Sequence, residues 1–108
     1  MIDILALLKA LADETRFRII NLLLTHDLCV GALAGHLKLS KAAVSQHLQI
    51  LRKSGLVRGE KRGYWTHYSV DKSAIHQISE HLIKITDKAP DFREVCHRSV
   101  KDETSINE

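Results

Sequence analysis

The stretch SKAAVSQHLQILRKSGLVRGEKRGYWTHYSV, residues 40–70, decides the fold because its hydrophobic spacing changes halfway along. In its first half, Val44, Leu48 and Leu51 recur at intervals of four and three residues, which is the buried stripe of an amphipathic helix. Ser40 precedes this stripe and is a residue type that caps helix N-termini. The first half is therefore predicted to be a helix that begins just after Ser40.

The second half of the stretch has the pattern of a β-hairpin. Gly55 suits the left-handed position that ends a helix. The segments Leu56–Lys61 and Tyr64–Val70 that follow are extended in pattern, and Arg62-Gly63 between them is predicted to form the turn. The stretch therefore predicts a helix followed by a small antiparallel hairpin.

Further helices are predicted on both sides of this stretch. Periodic apolar residues indicate a first helix over about residues 2–12 and a last helix over about residues 73–87. Asp13 is placed to cap a second helix. A short helix rich in small residues precedes Ser40, which gives two helices joined by a tight turn.

The predicted fold is a winged helix-turn-helix, mainly α with a small β-hairpin wing. The helix-turn-helix covers about residues 30–54 and the wing about residues 56–70. We expect these elements to form one domain over residues 1–88, followed by a polar tail over residues 89–108 that is predicted to be mobile.

The composition excludes several classes of protein. With 108 residues, of which 44% are hydrophobic and 27% charged, the chain is expected to fold as a single globular domain. No run approaches the roughly 18 consecutive apolar residues that span a bilayer, and Asp3 stands where a signal peptide carries basic residues. Two cysteines are too few for a disulfide framework. We therefore expect a cytoplasmic protein with no membrane partner, and neither a secreted scaffold nor a multidomain enzyme.

Basic side chains are concentrated in the middle of the chain. Residues 38–62 carry a net charge of +6, whereas residues 1–37 carry −1 and residues 63–108 carry −2. Such a block is typical of a surface that binds a polyanion, although a solvated basic face has the same composition. Because the block coincides with the predicted helix-turn-helix and wing, double-stranded DNA is the expected partner.

The candidate DNA contacts lie opposite the buried stripe of the recognition helix, at its end, or in the wing. They are Lys41, Ser45, Gln46, Gln49, Arg52, Lys53, Lys61 and Arg62. A glutamine amide pairs two hydrogen bonds with adenine, so Gln46 and Gln49 are candidates for reading the sequence. Arg52 and Lys53 are placed to bind phosphates, and Arg62 is placed to enter a narrow minor groove.

Two runs of this sequence resemble the ArsR/SmtB family of arsenic- and metal-responsive repressors. They are LKALADETRFRIINLL at residues 8–23 and LCVGALAGHLKLSKAAVSQHLQILRKSGLVRGEKRGYWTHYSV at residues 28–70. The resemblance implies a homodimer that pairs mainly through its first and last helices, binds a palindromic operator and is released by an inducer. It also implies base contacts from Ser45, Gln46 and Gln49 and a wing contact from the arginine at the wing tip.

The resemblance extends only in part to the inducer site. Arsenic sensors of the family typically carry C-V-C at the start of the helix before the recognition helix, whereas this chain has Cys29-Val30-Gly31. Trivalent arsenic is thiophilic and usually takes three sulfur ligands. Cys29, Cys96 and the adjacent His97 are therefore the candidate ligands for arsenite or a divalent metal ion as inducer. No cofactor is expected to be required for DNA binding.

Two other functions remain open. Some relatives sense reactive sulfur or oxidants by bridging two cysteines, and Cys29 and Cys96 have that broad arrangement, although a direct disulfide needs Cα atoms within about 7 Å. The other open function is a winged-helix adaptor that binds protein instead of DNA. The net charge of +6 on residues 38–62 argues against this function. The sequence contains no phosphate-cradling glycine loop, metalloprotease motif or convincing nucleophile–base spacing, so an enzyme is not expected.

Overall fold

A computed structural model describes residues 3–88 of the protein as five helices and one hairpin. The elements are α1 (Ile4–Leu11), α2 (Glu14–Thr25), α3 (Val30–Leu37), α4 (Lys41–Ser54), β1 (Val57–Arg62), β2 (Trp65–Val70) and α5 (Lys72–Lys88). This order confirms the predicted winged helix-turn-helix, in which α3 and α4 form the helix-turn-helix and β1 and β2 the wing. The tail predicted over residues 89–108 lies outside the described residues.

Helices α1, α2 and α4 each begin at a polar side chain that binds one of their free N–H groups. Asp3 and Ser40 each accept a hydrogen bond from the amide three residues further on, at 3.2 and 3.1 Å. Asp13 accepts from the Arg16 amide at 3.0 Å, and this bond is the largest cause that lowers the pKa of the Asp13 carboxyl. The caps predicted at Ser40 and Asp13 are confirmed.

The core lies between α4 and the elements around it. Val44, Leu48 and Leu51 are buried as predicted. They belong to one hydrophobic cluster with residues of the other elements, among them Leu7, Ile19, Leu23, Leu33 and Leu56. Because α4 buries this single stripe, its opposite face remains free to meet another molecule.

The wing is an antiparallel pair in which Arg62 lies opposite Trp65. Its turn is Gly63-Tyr64, so the turn predicted at Arg62-Gly63 was one residue too early. Gly63 has a φ of +66°, and two-residue hairpin turns require a positive φ at their first central residue. Gly63 therefore takes the first turn position, and Arg62 becomes the last residue of β1.

The segment before α3 is hydrogen-bonded to strand β2 of the wing. The Tyr68 amide donates to the Leu28 carbonyl at 2.9 Å, and the two residues form an isolated antiparallel bridge. Leu28 is followed directly by Cys29 and the start of α3. The wing is therefore tied to the segment that leads into the helix-turn-helix.

The last helix, α5, is longer than α1, against which it packs. Ala74 and Ile78 in its first half are buried, whereas Leu82 and Ile85 continue the same stripe and are 46% and 56% exposed. α5 packs against α1, and at 1.5 Å per residue α1 is about 12 Å long and α5 about 25 Å. Among residues 3–88, no helix has the length and apolar character needed to cross a membrane.

Candidate nucleic-acid interface

The outer face of α4 carries half of the predicted DNA contacts. Lys41, Ser45, Gln46 and Gln49 are all exposed and lie away from the buried stripe. Gln46 and Gln49 are three positions apart, so they are neighbours on the helix surface. The face thus presents two adjacent side-chain amides, each with a donor and an acceptor, which is the chemistry that pairs with an adenine edge.

The carboxyl end of α4 is basic and borders the wing. Arg52 and Lys53 are exposed in the last turn of the helix, where positive charge interacts favourably with the helix dipole. The Arg52 guanidinium lies 5.9 Å from the centroid of the Tyr68 ring of β2, within cation–π range. Arg52 is therefore held where α4 meets the wing. Together Arg52 and Lys53 extend the positive surface from the helix to the hairpin.

Arg62 does not extend freely from the wing, although it was predicted to enter a minor groove. Its guanidinium donates to Glu60 Oε1 at 2.8 Å and to Asp27 Oδ2 at 2.9 Å. The hydrogen bond to Glu60, and then that to Asp27, raises the pKa of Arg62 further above its ordinary value. The cause is register, because Arg62 and Glu60 are two residues apart on β1 and share one face of the strand. In the free protein the positive charge of Arg62 is thus partly neutralised.

The tip of the wing is open to solvent. Lys61, the other predicted wing contact, is exposed. Tyr64 in the turn is 97% exposed and Trp65 at the start of β2 is 62% exposed. Exposed aromatic side chains beside cations are typical of a surface that meets another molecule.

Two pairings at this surface were not predicted from the sequence. Asp27 lies 35 positions from Arg62, and Arg16 lies 31 positions from His47, whose Nδ1 is 3.4 Å from Arg16 Nη1. His47 of α4 is partly buried. Neither pair has the spacing of a helix or strand neighbour, so no local pattern indicates it.

Of the three residues of the predicted thiol site, the structure describes only Cys29. Cys29 is the N-cap residue of α3, is partly buried and makes no side-chain capping hydrogen bond. Cys96 and His97 lie outside the described residues. Within residues 3–88 no three His, Cys, Asp or Glu side chains come together as a metal site. The described part of one chain therefore offers a single thiol, fewer than the sulfur ligands that trivalent arsenic usually takes.

Gly31 occupies the position of the second thiol in the C-V-C pattern. A Cβ atom placed on Gly31 would meet only the Lys41 Cε, at 3.7 Å, which is ordinary van der Waals contact. Gly35, one turn further along α3, has nothing within 4 Å of such an atom. The structure therefore accommodates a Cβ atom at either position.

An apolar surface remains on α1 and α5. We call it the α1–α5 patch, and its members Leu5, Leu82 and Ile85 are 62%, 46% and 56% exposed. Large apolar side chains that cluster on a surface mark a site of interaction more often than single ones do. The patch lies at the helices that were predicted to pair two protomers.

Comparison with known sequences gives related transcriptional regulators. The family model described as "Bacterial regulatory protein, arsR family" matches residues 13–58. The transcriptional activator HlyU of Vibrio cholerae is 39% identical over 79 residues, which are 73% of each chain. The arsenical resistance operon repressor of Escherichia coli is 42% identical over 84 residues, which are 77% of this chain and 68% of the repressor.

Solved structures give the same result. The ArsR-like transcriptional regulator from Rhodococcus sp. RHA1 superimposes with a TM-score of 0.74 at 29% identity, covering 79% of this chain and 80% of that one. The structure described as reduced HlyU from Vibrio cholerae has a TM-score of 0.62 at 39% identity, covering 75% of this chain and 85% of that one.

Proposed function

The chain belongs to the ArsR family of bacterial regulatory proteins, and from this premise we propose that it acts as a homodimeric repressor of transcription. In this proposal it binds a palindromic operator in the cytoplasm and leaves the DNA when arsenite, or another thiophilic ion, binds at Cys29. The protein is a transcriptional regulator and not an enzyme.

The outer face of α4 is the observation that supports DNA reading most directly. Gln46 and Gln49 present adjacent amides to solvent, and the helix that carries them ends in Arg52 and Lys53 beside the wing. In this arrangement side chains that read bases are flanked by side chains that bind phosphates. In a dimer, the two α4 helices enter successive major grooves about 34 Å apart.

Dimer formation is supported by the α1–α5 patch. Two of its side chains, Leu82 and Ile85, continue the buried stripe of α5 and are exposed in the single chain, where a second copy of the chain can cover them. A two-fold interface places the same patch on both protomers, so apolar surface meets apolar surface. The palindromic operator follows from the same two-fold axis.

The direction of regulation is part of the proposal. One of the two sequence relatives is named an activator and the other a repressor. Repression needs only that the bound protein occupies the DNA, whereas activation needs a further contact with the transcription machinery. The surface of α4 and the wing accounts for DNA binding alone, so we favour repression.

Arsenite is proposed as inducer because of Cys29 and the E. coli relative, which is named for arsenical resistance. Cys29 stands at the start of α3 and adjoins Leu28, which is hydrogen-bonded to the wing. A ligand that binds Cys29 and displaces it would therefore act on a segment joined to both the helix-turn-helix and the wing. The remaining sulfur ligands would come from Cys96 or from a second copy of the chain.

The proposal is tested by fluorescence anisotropy of the reduced protein on labelled DNA from upstream of its own gene. We expect arsenite to release the wild type and to leave Cys29→Ser bound. Gly31→Cys restores the C-V-C pattern and should lower the arsenite concentration needed for release. Gly35→Cys adds a thiol to the same helix outside the pattern and is the matched control. If the wild type stays bound in arsenite, the inducer assignment is wrong although DNA binding stands.

A thiol switch is the second candidate, because the solved structure of a 39%-identical relative is described by its reduced state. In this candidate Cys29 and Cys96 respond together to an oxidant or to reactive sulfur. Release by a persulfide donor that is lost in both Cys29→Ser and Cys96→Ser, without release by arsenite, zinc or cadmium, would favour it over metal sensing.

A further inference from the structure

The side chain of Arg16 joins three helices at the back of the recognition helix. Its Nε donates to the Ala10 carbonyl, and its Nη2 donates to the Lys9 carbonyl at 3.3 Å. Both carbonyls lie in the last turn of α1, where a helix leaves C=O groups without intrahelical partners. Arg16, which belongs to α2, therefore completes the carboxyl end of α1.

The same guanidinium reaches α4. Arg16 Nη1 is 3.4 Å from His47 Nδ1, and Asp13 Oδ2 is 3.9 Å from the same nitrogen. A guanidinium only donates hydrogen bonds, so Nδ1 of His47 accepts and the ring proton is on Nε2. The His47 side chain is 25% exposed, and its only side-chain hydrogen bond within the described region is this one.

We propose that Arg16 is a positioning residue of the DNA-reading surface, which fixes the rotation of α4 relative to α1 by holding His47 in its Nε2–H form. This inference rests on the proposed function. His47 directly follows Gln46 and precedes Gln49 by two positions, so its anchoring sets the direction of both amides. A side-chain tip about 5–6 Å from the helix axis moves by about 1 Å when the helix rolls by about 10°. Such a shift is enough to spoil a paired hydrogen bond to a base.

The link also has a bearing on release from DNA. α1 carries Leu5 of the α1–α5 patch, and Arg16 connects the end of that helix to the middle of α4. A change in how two protomers pair would therefore reach the recognition helix through Arg16 as well as through the direct packing of α1 against α4. Asp13 contributes by capping α2 through the Arg16 amide, which fixes the backbone from which the Arg16 side chain extends.

The test uses Arg16→Lys, which keeps the positive charge but cannot hold the two carbonyls and the imidazole together. Affinity is measured for a duplex selected by the wild type from a randomised pool, and for a scrambled duplex of the same composition. We expect the selected duplex to bind about tenfold more weakly or worse, with the affinity for the scrambled duplex unchanged. Arg18→Lys is the matched control, because Arg18 is exposed on the same helix and has no side-chain hydrogen bond within residues 3–88.

The ring of His47 gives a readout that a general loss of stability would not produce. Nitrogen-15 NMR of the wild type should show an unprotonated Nδ1 and a protonated Nε2 at neutral pH, and Arg16→Lys should lose this preference. Protonated Nδ1 in the wild type would overturn the inference even if no variant folds. Equal losses on both duplexes, or no loss, would also overturn it. Failure of the wild type to select any sequence would instead refute the proposed function.

Discussion

Ile85 provides a quantitative test of dimer formation through the α1–α5 patch. Its side chain is 56% exposed in the single chain, at the end of a stripe whose first half is buried. Full burial of an isoleucine stabilises by about 1.5–3 kcal/mol, so covering the exposed half and keeping the alanine methyl leaves about 1 kcal/mol per protomer. A two-fold interface contains the residue twice, so Ile85→Ala should weaken the dimer by about 2 kcal/mol.

This free energy corresponds to a dimer Kd that rises about 30-fold. Sedimentation equilibrium over a series of protein concentrations measures it directly. Leu24→Ala is the matched control, because Leu24 is 42% exposed near the end of α2, away from the patch. An unchanged Kd for Ile85→Ala, or an equal change in Leu24→Ala, would show that the protomers do not pair through the end of α5.

Four other perturbations test the DNA surface and a helix start. Alanine at Gln46 and Gln49 should reduce binding to the operator far more than binding to scrambled DNA in anisotropy titrations, and equal losses would mean that another face reads the bases. Asp27→Asn removes one of the two carboxylates that neutralise Arg62, so affinity for DNA should rise and its salt dependence steepen; Arg62→Gln should reduce the salt slope by up to about 1. The pKa of Asp71, at the start of α5, is lowered chiefly by a neighbouring hydroxyl, so its contribution to stability is complete above pH 3.8 and is lost as the pH falls through the lowered value. Asp71→Asn should therefore have a lower Tm than the wild type at pH 7, and calorimetry should show the difference shrinking below pH 3.8.

The local part of the fold could be predicted from the sequence. The stripe of Val44, Leu48 and Leu51 defines α4 because helical neighbours recur every three to four residues, and the caps at Asp13 and Ser40 act within three residues. The predicted turn of the wing was displaced by one residue because Gly63 can take either central position of a two-residue turn, the second in Arg62-Gly63 or the first in Gly63-Tyr64. Only the backbone conformation of Gly63 distinguishes the two registers.

The long-range part of the site could not be predicted in this way. The exposed face of α4 follows from its periodicity, but the neutralisation of Arg62 depends on Asp27, which the fold brings close from another element. The bridge between Leu28 and Tyr68 is likewise a single backbone hydrogen bond between distant residues. Such contacts depend on how the elements pack, and a single sequence carries no periodic signal for them.

The position of Trp65 has a practical consequence. It is the only tryptophan of the chain, and it stands 62% exposed at the start of β2, beside the turn of the wing. The indole fluorescence of the unlabelled protein therefore reports on the surroundings of the wing and on no other part of the molecule. Wing engagement can be followed by this emission in real time, separately from the recognition helix, for every variant that keeps Trp65.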